Sequence, residues 1–153
     1  MTKQTILCAI AFTFLFSMGC KKSDQDQPLP DEDALIRNYL RSINAEATRD
    51  KSGVYYQIIN PGAGDPVIYT STVTVNYKGS LLNGKQFDDV SNKAFNFLNV
   101  MQGWQIGINK IRTGGRIIIY VPSSLGYGKY VPKPEIPANS TLVYDIELVS
   151  FKK

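Results

Sequence analysis

The sequence predicts an α+β fold: an antiparallel sheet of about five strands with one short internal helix, preceded by an extra N-terminal helix. Three observations carry this. From Gly53 onward apolar residues recur at period two in several runs separated by turn signals, the pattern of half-buried strands. Ahead of them, residues 31–50, "DEDALIRNYLRSINAEATRD", repeat at helical spacing. Within the strand region, "VMQGWQIGI" at 100–108 puts Val100, Met101, Trp104 and Ile108 on one side of a helix. That helix is too short to be stable alone and has two glycines, each costing about 1 kcal/mol against alanine. It must therefore be held by packing on the sheet.

The elements follow in order. Residues 1–19 read as an export signal: Lys3 precedes the apolar run "ILCAIAFTFLF", too short for a comfortable membrane span. Ser17-Met18-Gly19-Cys20 resembles a bacterial lipobox, which makes Cys20 the lipidated first residue of the mature chain and leaves Cys8 on the discarded signal. An ordinary signal peptide or an uncleaved anchor is the alternative. Residues 20–30, with "KKSDQDQPLP", form a polar lipidated tether.

Residues 31–52 are an N-terminal helical segment. Its acidic residues crowd the first turn, and Leu35, Ile36, Tyr39, Leu40 and Ile43 share a face. Residues 53–153 form the main domain. "VYYQII" (54–59) and "VTVNYKGSLL" (73–82) read as strands joined by the turn-rich "NPGAGDP". Asn83-Gly84 predicts a two-residue hairpin turn returning as "KQFD", since both residues tolerate positive φ. "FNFL" (95–98) is a strand leading into the short helix. "RIIIYV" (116–121) and "TLVYDIELVSF" (141–151) complete the sheet. In the last, Leu142, Tyr144, Ile146 and Leu148 oppose Asp145 and Glu147, so the sheet is predicted to bury one side.

Composition narrows the chemistry. With 153 residues, 43% hydrophobic and 20% charged, the chain is large enough for one continuous core. It has no histidine, which removes imidazole metal sites and histidine-assisted nucleophiles. The net charge of +4 comes from scattered lysines and arginines with no basic stripe interleaved with aromatics, so nucleic-acid binding is not expected.

From Val73 onward five runs occur in order: "VTVNYKGSLLNGKQFDDV", "FNF", "VMQGWQIGI", "GGRIIIYVPSSLGYG" and "EIPANSTLVYDIELV". Their order and spacing resemble the FKBP-type peptidyl-prolyl cis-trans isomerases. The resemblance implies a bent antiparallel sheet wrapped around the short helix, with an apolar pocket between them. It implies catalysis of X-Pro bond rotation in proline-containing polypeptides without a cofactor, and a site open to macrolide ligands.

Carried over, the pocket comprises Tyr77, Phe87, Asp88, Phe95, Val100, Met101, Trp104, Tyr127, Ile136 and Tyr144. Phe87, Phe95, Val100 and Ile136 would enclose a prolyl ring resting on Trp104. The Tyr127 hydroxyl and the Met101 backbone N–H would bind substrate carbonyls, and Asp88 would orient polar groups at the twisted imide. Tyr127 as a satisfied buried tyrosine and Asp88 as a turn-capping residue are the structural alternatives. With the export signal, the resemblance points to a lipid-anchored isomerase of the bacterial envelope. A proline-segment binding module or holdase with little turnover is the rival reading. Between Asp88 and Val100 the chain is shorter than the family pattern, while "GKYVPKPEIP" keeps the family's length with its own prolines.

Overall fold

The computed structural model describes residues 31–153. The predicted signal and tether, with Cys8 and Cys20, lie outside the described residues. Six strands make one antiparallel sheet: β1 (Thr48–Arg49), β2 (Tyr55–Asn60), β3 (Thr72–Leu81), β4 (Gln86–Asn96), β5 (Arg116–Val121) and β6 (Leu142–Lys152). Their spatial order is β1-β2-β5-β6-β3-β4. Helix α1 spans Glu32–Ser42 and α2 spans Gln102–Ile108.

The inward residues of β3, β5 and β6 form the main core. Val73, Val75, Ile117, Ile119, Val121, Leu142, Ile146 and Leu148 are all fully buried. Helix α2 lies across them and adds Trp104 and Ile108. Its glycines explain how it comes so close. A Cβ on Gly107 would stand 2.7 Å from Ile119 Cγ2, and one on Gly103 would overlap the methyl groups of Val121. Low helix propensity is offset by contact with β5.

Four details differ from the sequence expectations. The sheet has a sixth strand, β1, a two-residue pair on the edge of β2 that lies within the segment read as helical. "KQFD" and "FNFL" do not make separate strands: residues 86–96 run as one strand with a register shift opposite Val75 and Tyr77, and Phe97–Asn99 turn into a 3-10 helix. At the β3–β4 turn Gly84 alone of the Asn83-Gly84 pair has positive φ (82°). Gly84 N–H donates to Leu81 O, and Leu81 N–H to Lys85 O, which is a type I turn closed by a glycine bulge. Finally, the sheet is covered on a second face. Ile36 and Leu40 of α1 pack with buried Tyr55 and Tyr120, forming a smaller core behind β2 and β5.

Helix α1 is firmly seated. Asp31 accepts the N–H groups of Asp33 and Ala34, a standard N-cap. Asp33 in turn accepts hydrogen bonds from Arg49 Nε and the Tyr55 hydroxyl, both at 2.8 Å.

Buried phenols set the alkaline limit of the fold. Burial raises the pKa of Tyr55, Tyr77, Tyr120 and Tyr144, for Tyr77 to about 12. Above pH 10 the unfolded chain ionises these groups while the folded chain keeps them protonated. The folded state then binds more protons, so stability falls as pH rises from about 10 toward 12. These groups leave urea midpoints alike at pH 7 and 9 and lower the midpoint at pH 11. Equal midpoints at pH 9 and 11 would contradict this assignment.

Candidate functional site

Between α2 and the sheet lies a cavity of about 220 Å³ lined by Tyr77, Asp88, Phe95, Asn99, Val100, Met101, Trp104, Tyr127 and Tyr144. It is smaller than the roughly 300–1,000 Å³ of drug-sized sites, and suits one cyclic side chain with its flanking backbone. A wider, open groove of about 860 Å³ runs beside α1 and β2, lined by residues such as Arg37, Arg41, Glu46 and Gln57. It has no comparable convergence of aromatic rings.

Trp104 is the base of the small cavity. It is buried, and three rings stand edge-on to it: Tyr77 at 4.9 Å between centroids and 76°, Tyr144 at 5.2 Å and 83°, Phe95 at 5.6 Å and 78°. Near-perpendicular contacts of this kind are favoured by the ring quadrupoles, and here they build walls around a flat floor. Tyr77 comes from β3, Phe95 from β4, Tyr144 from β6 and Trp104 from α2, so only the tertiary fold assembles the set.

Eight of the ten residues carried over from the sequence line this cavity. Phe87 and Ile136 do not. Phe87 packs edge-on behind Tyr144 at 5.8 Å, filling the space left by Gly79, where any Cβ would strike the Phe87 ring. Ile136 is 1% exposed and belongs to the main core. Phe87 thus supports the Tyr144 wall from outside. Asn99, which the sequence did not single out, joins the lining from the 3-10 turn.

The shortened stretch ahead of α2 is held by a residue the sequence also left unmarked. The Gln105 side-chain amide donates to the carbonyls of Phe97, Leu98 and Val100 at 3.0–3.2 Å. Asn96 Oδ1 caps the same turn by accepting Leu98 N–H at 3.0 Å. These bonds fix Val100 and Met101 at the cavity mouth. No hydrogen bond from Met101 N–H is formed among the described residues.

The polar groups are few. The Tyr144 hydroxyl lies 3.5 Å from that of Tyr127, a long contact that leaves the Tyr127 hydroxyl free to turn toward the cavity. Burial, then this contact, pushes the Tyr144 phenol up. For Tyr77, burial dominates and the charge of Asp88 adds to it. Asp88 is not a turn cap. It lies in β4 opposite Gly79, and its Oδ1 accepts from Lys133 Nζ at 2.8 Å. Lys133, in the segment after Tyr127, has its pKa raised chiefly by that bond. Sequence reasoning had no signal for a partner 45 residues away. No group of three or more carboxylate or thiol side chains able to hold a metal occurs among the described residues.

This arrangement offers an apolar, aromatic-walled slot, the Tyr127 hydroxyl and one carboxylate. It can bind and dehydrate a small ring with an adjoining amide. The family model for FKBP-type peptidyl-prolyl cis-trans isomerase matches residues 66–149. The FKBP-type peptidyl-prolyl cis-trans isomerase FkpA of Escherichia coli (strain K12) is 35% identical over 146 residues, covering 90% of this chain and 54% of that protein. A probable FKBP-type peptidyl-prolyl cis-trans isomerase of Haemophilus influenzae is 38% identical over 103 residues, 65% of this chain and 43% of that one. The chain thus spans about half the length of these curated relatives. Among solved structures, FkpA from Escherichia coli superposes with a TM-score of 0.71 at 36% identity, covering 81% of this chain and 61% of that one. A peptidyl-prolyl cis-trans isomerase from Pseudomonas syringae gives 0.70 at 25% identity, covering 84% and 98%.

Proposed function

Because the chain belongs to the FKBP-type peptidyl-prolyl cis-trans isomerase family, we propose that its aromatic cavity catalyses rotation about X-Pro bonds in exported polypeptides. The observation that carries this is the indole floor of Trp104 walled by three edge-on rings in a slot of one-residue size.

Rotation about an X-Pro bond must break amide resonance, a barrier of about 18–20 kcal/mol. No covalent step is required. Resonance places negative charge on the carbonyl oxygen, and water stabilises it there. Moving the imide into an apolar slot removes that stabilisation and favours the twisted form, in which the charge is diminished. Each 1.36 kcal/mol taken from the barrier is tenfold in rate. Shape complementary to the twisted imide acts in the same direction through differential binding.

In this scheme the prolyl ring lies on Trp104 between Phe95, Val100 and Tyr77, with Phe87 bracing the Tyr144 wall. The Tyr127 hydroxyl and Met101 N–H bind carbonyls flanking the proline, and Asp88 acts on the charge distribution of the imide. A macrolide would seat only part of itself in a cavity of this size.

The test is a protease-coupled isomerisation assay on a short X-Pro peptide, with Trp104 emission followed in parallel. Trp104 is the sole tryptophan, so its signal reports this cavity. The expected result is catalysed rotation together with a saturable emission change. Emission that saturates without any rate gain would favour a binding module or holdase. Emission unmoved at full occupancy would place the site elsewhere.

The cellular setting is proposed from the N-terminal sequence: residues 1–19 are removed, Cys20 is lipidated, and residues 20–30 tether the folded part to a bacterial envelope membrane. Among the described residues no helix is long and apolar enough to cross a membrane. Cys20→Ser is expected to move the protein from the membrane fraction to the soluble fraction. Identical fractionation of mutant and wild type would end the lipoprotein reading.

A further inference from the structure

Glu32, in the first turn of α1 and well ahead of the residues that match the family, spends its whole carboxylate on the site's supporting loop. Its Oε1 accepts Ser123 N–H at 2.8 Å and the Thr141 hydroxyl at 2.7 Å, and its Oε2 accepts the Ser123 hydroxyl at 2.9 Å. Ser123 and Thr141 are 5% and 7% exposed, so these charge-assisted bonds are sheltered from water.

Both partners lead directly to the polar end of the cavity. The Ser123 carbonyl accepts the N–H groups of Gly126 at 3.0 Å and Gly128 at 2.9 Å, the residues on either side of Tyr127. Gly128 O then accepts Asn139 N–H at 2.7 Å, closing the loop on itself. Thr141 enters β6 three residues before Tyr144, whose hydroxyl meets that of Tyr127. Loop residues Ser124, Lys129, Tyr130 and Val131 are exposed, so Ser123 is one of its few buried anchors. Glu32 itself is rigidly presented, since α1 is capped by Asp31 and seated through Ile36 and Leu40.

We propose that Glu32 is a positioning residue for the isomerase site, holding the Tyr127 hydroxyl in register through Ser123 and thereby making the N-terminal helix part of the working enzyme. This rests on the isomerase reading of the cavity. Small misplacements of a substrate-binding group are costly in rate, which gives a loop anchor leverage on turnover without its touching substrate.

The test is a double-mutant cycle on kcat/KM with Glu32→Ala and Tyr127→Phe, each variant also melted. Glu32→Ala is expected to lower kcat/KM by about three- to tenfold in the wild-type background. In the Tyr127→Phe background, where there is no hydroxyl to place, it should change kcat/KM little, while its effect on melting stays the same. Glu32→Gln retains an acceptor for Ser123 N–H and Thr141 and should recover most of the rate. If Glu32→Ala does not fold, Ser123→Ala, which removes only the hydroxyl bond, takes its place in the cycle. Amide exchange at Gly126 and Gly128 should quicken in the position-32 or position-123 variant. Equal fold losses in both backgrounds, or unchanged exchange at both glycines, would overturn the proposal. If the wild type itself gives no rate gain, the isomerase reading falls, and the exchange measurement alone decides whether Glu32 orders the Tyr127 loop.

Discussion

Gly103→Ala is expected to destabilise the protein by about 2 kcal/mol, although alanine is the better helix former by about 1 kcal/mol. The sign is set by what lies beneath the helix. An added Cβ would overlap Val121 Cγ1 and lie 2.8 Å from Cγ2. Val121 is 0% exposed and β-branched, so its χ1 is stiff and its neighbours are close-packed. Overpacking of this kind costs about 1–3 kcal/mol, and so severe an overlap belongs at or above the upper end. The helix can relieve it only by lifting off β5, which carries Trp104 away from Tyr77 and Tyr144 and lowers turnover as well. A melting temperature reduced by about 5–10 °C is the observable consequence. In a Val121→Ala background the obstructing methyls are gone, and Gly103→Ala should become neutral or stabilising there. A raised melting temperature for Gly103→Ala in the wild-type background would show that the helix does not rest on β5 as described.

The same contact shows why parts of this fold were legible in sequence. Residues 116–121 stand as a strand with the predicted bounds, because an apolar run between a glycine pair and a proline leaves little choice. The short helix was legible as a problem, two glycines beside the only tryptophan, whose solution required a sheet close by. What escaped has a common physical cause. Strand β1 is two residues long and has no period to display. Glu32 and Asp33 looked like first-turn acids favoured by the helix dipole, and that holds for any such helix, whereas their bonds to Ser123, Thr141, Arg49 and Tyr55 depend on where α1 lands. Gln105 is polar in a buried helix, and its three carbonyl partners exist only because the preceding stretch is compressed into one 3-10 turn. Phe87 and Ile136 have the right residue types and sequence positions for the pocket, yet Phe87 packs behind Tyr144 and Ile136 lies in the main core. Ring orientation and depth are settled by packing against Gly79 and the core, which no linear pattern records.

Asp88→Ala is expected to lower kcat by roughly ten- to a hundredfold and KM with it, the largest loss of kcat from any single polar group in the cavity. Asp88 is the one carboxylate lining that cavity among the described residues, and its side chain is only 20% exposed. In the planar imide the carbonyl oxygen carries resonance charge, and a nearby carboxylate repels it. In the twisted form that charge is reduced and the repulsion relaxes. The carboxylate therefore raises the ground state more than the transition state, and low water content strengthens the effect. Lys133 partly opposes it by pairing with Oδ1, while also fixing the carboxylate in place. Lys133→Ala is accordingly expected to change kcat by no more than about threefold. The fold should survive both changes, because Lys133 is 43% exposed and can be solvated when its partner is removed. Asp88→Asn separates the causes: it keeps the volume and removes the charge, so it should lose nearly as much as alanine. Rates within twofold of wild type for both Asp88 variants, at matched melting temperature, would leave shape and desolvation around Trp104 as the whole of the catalytic effect.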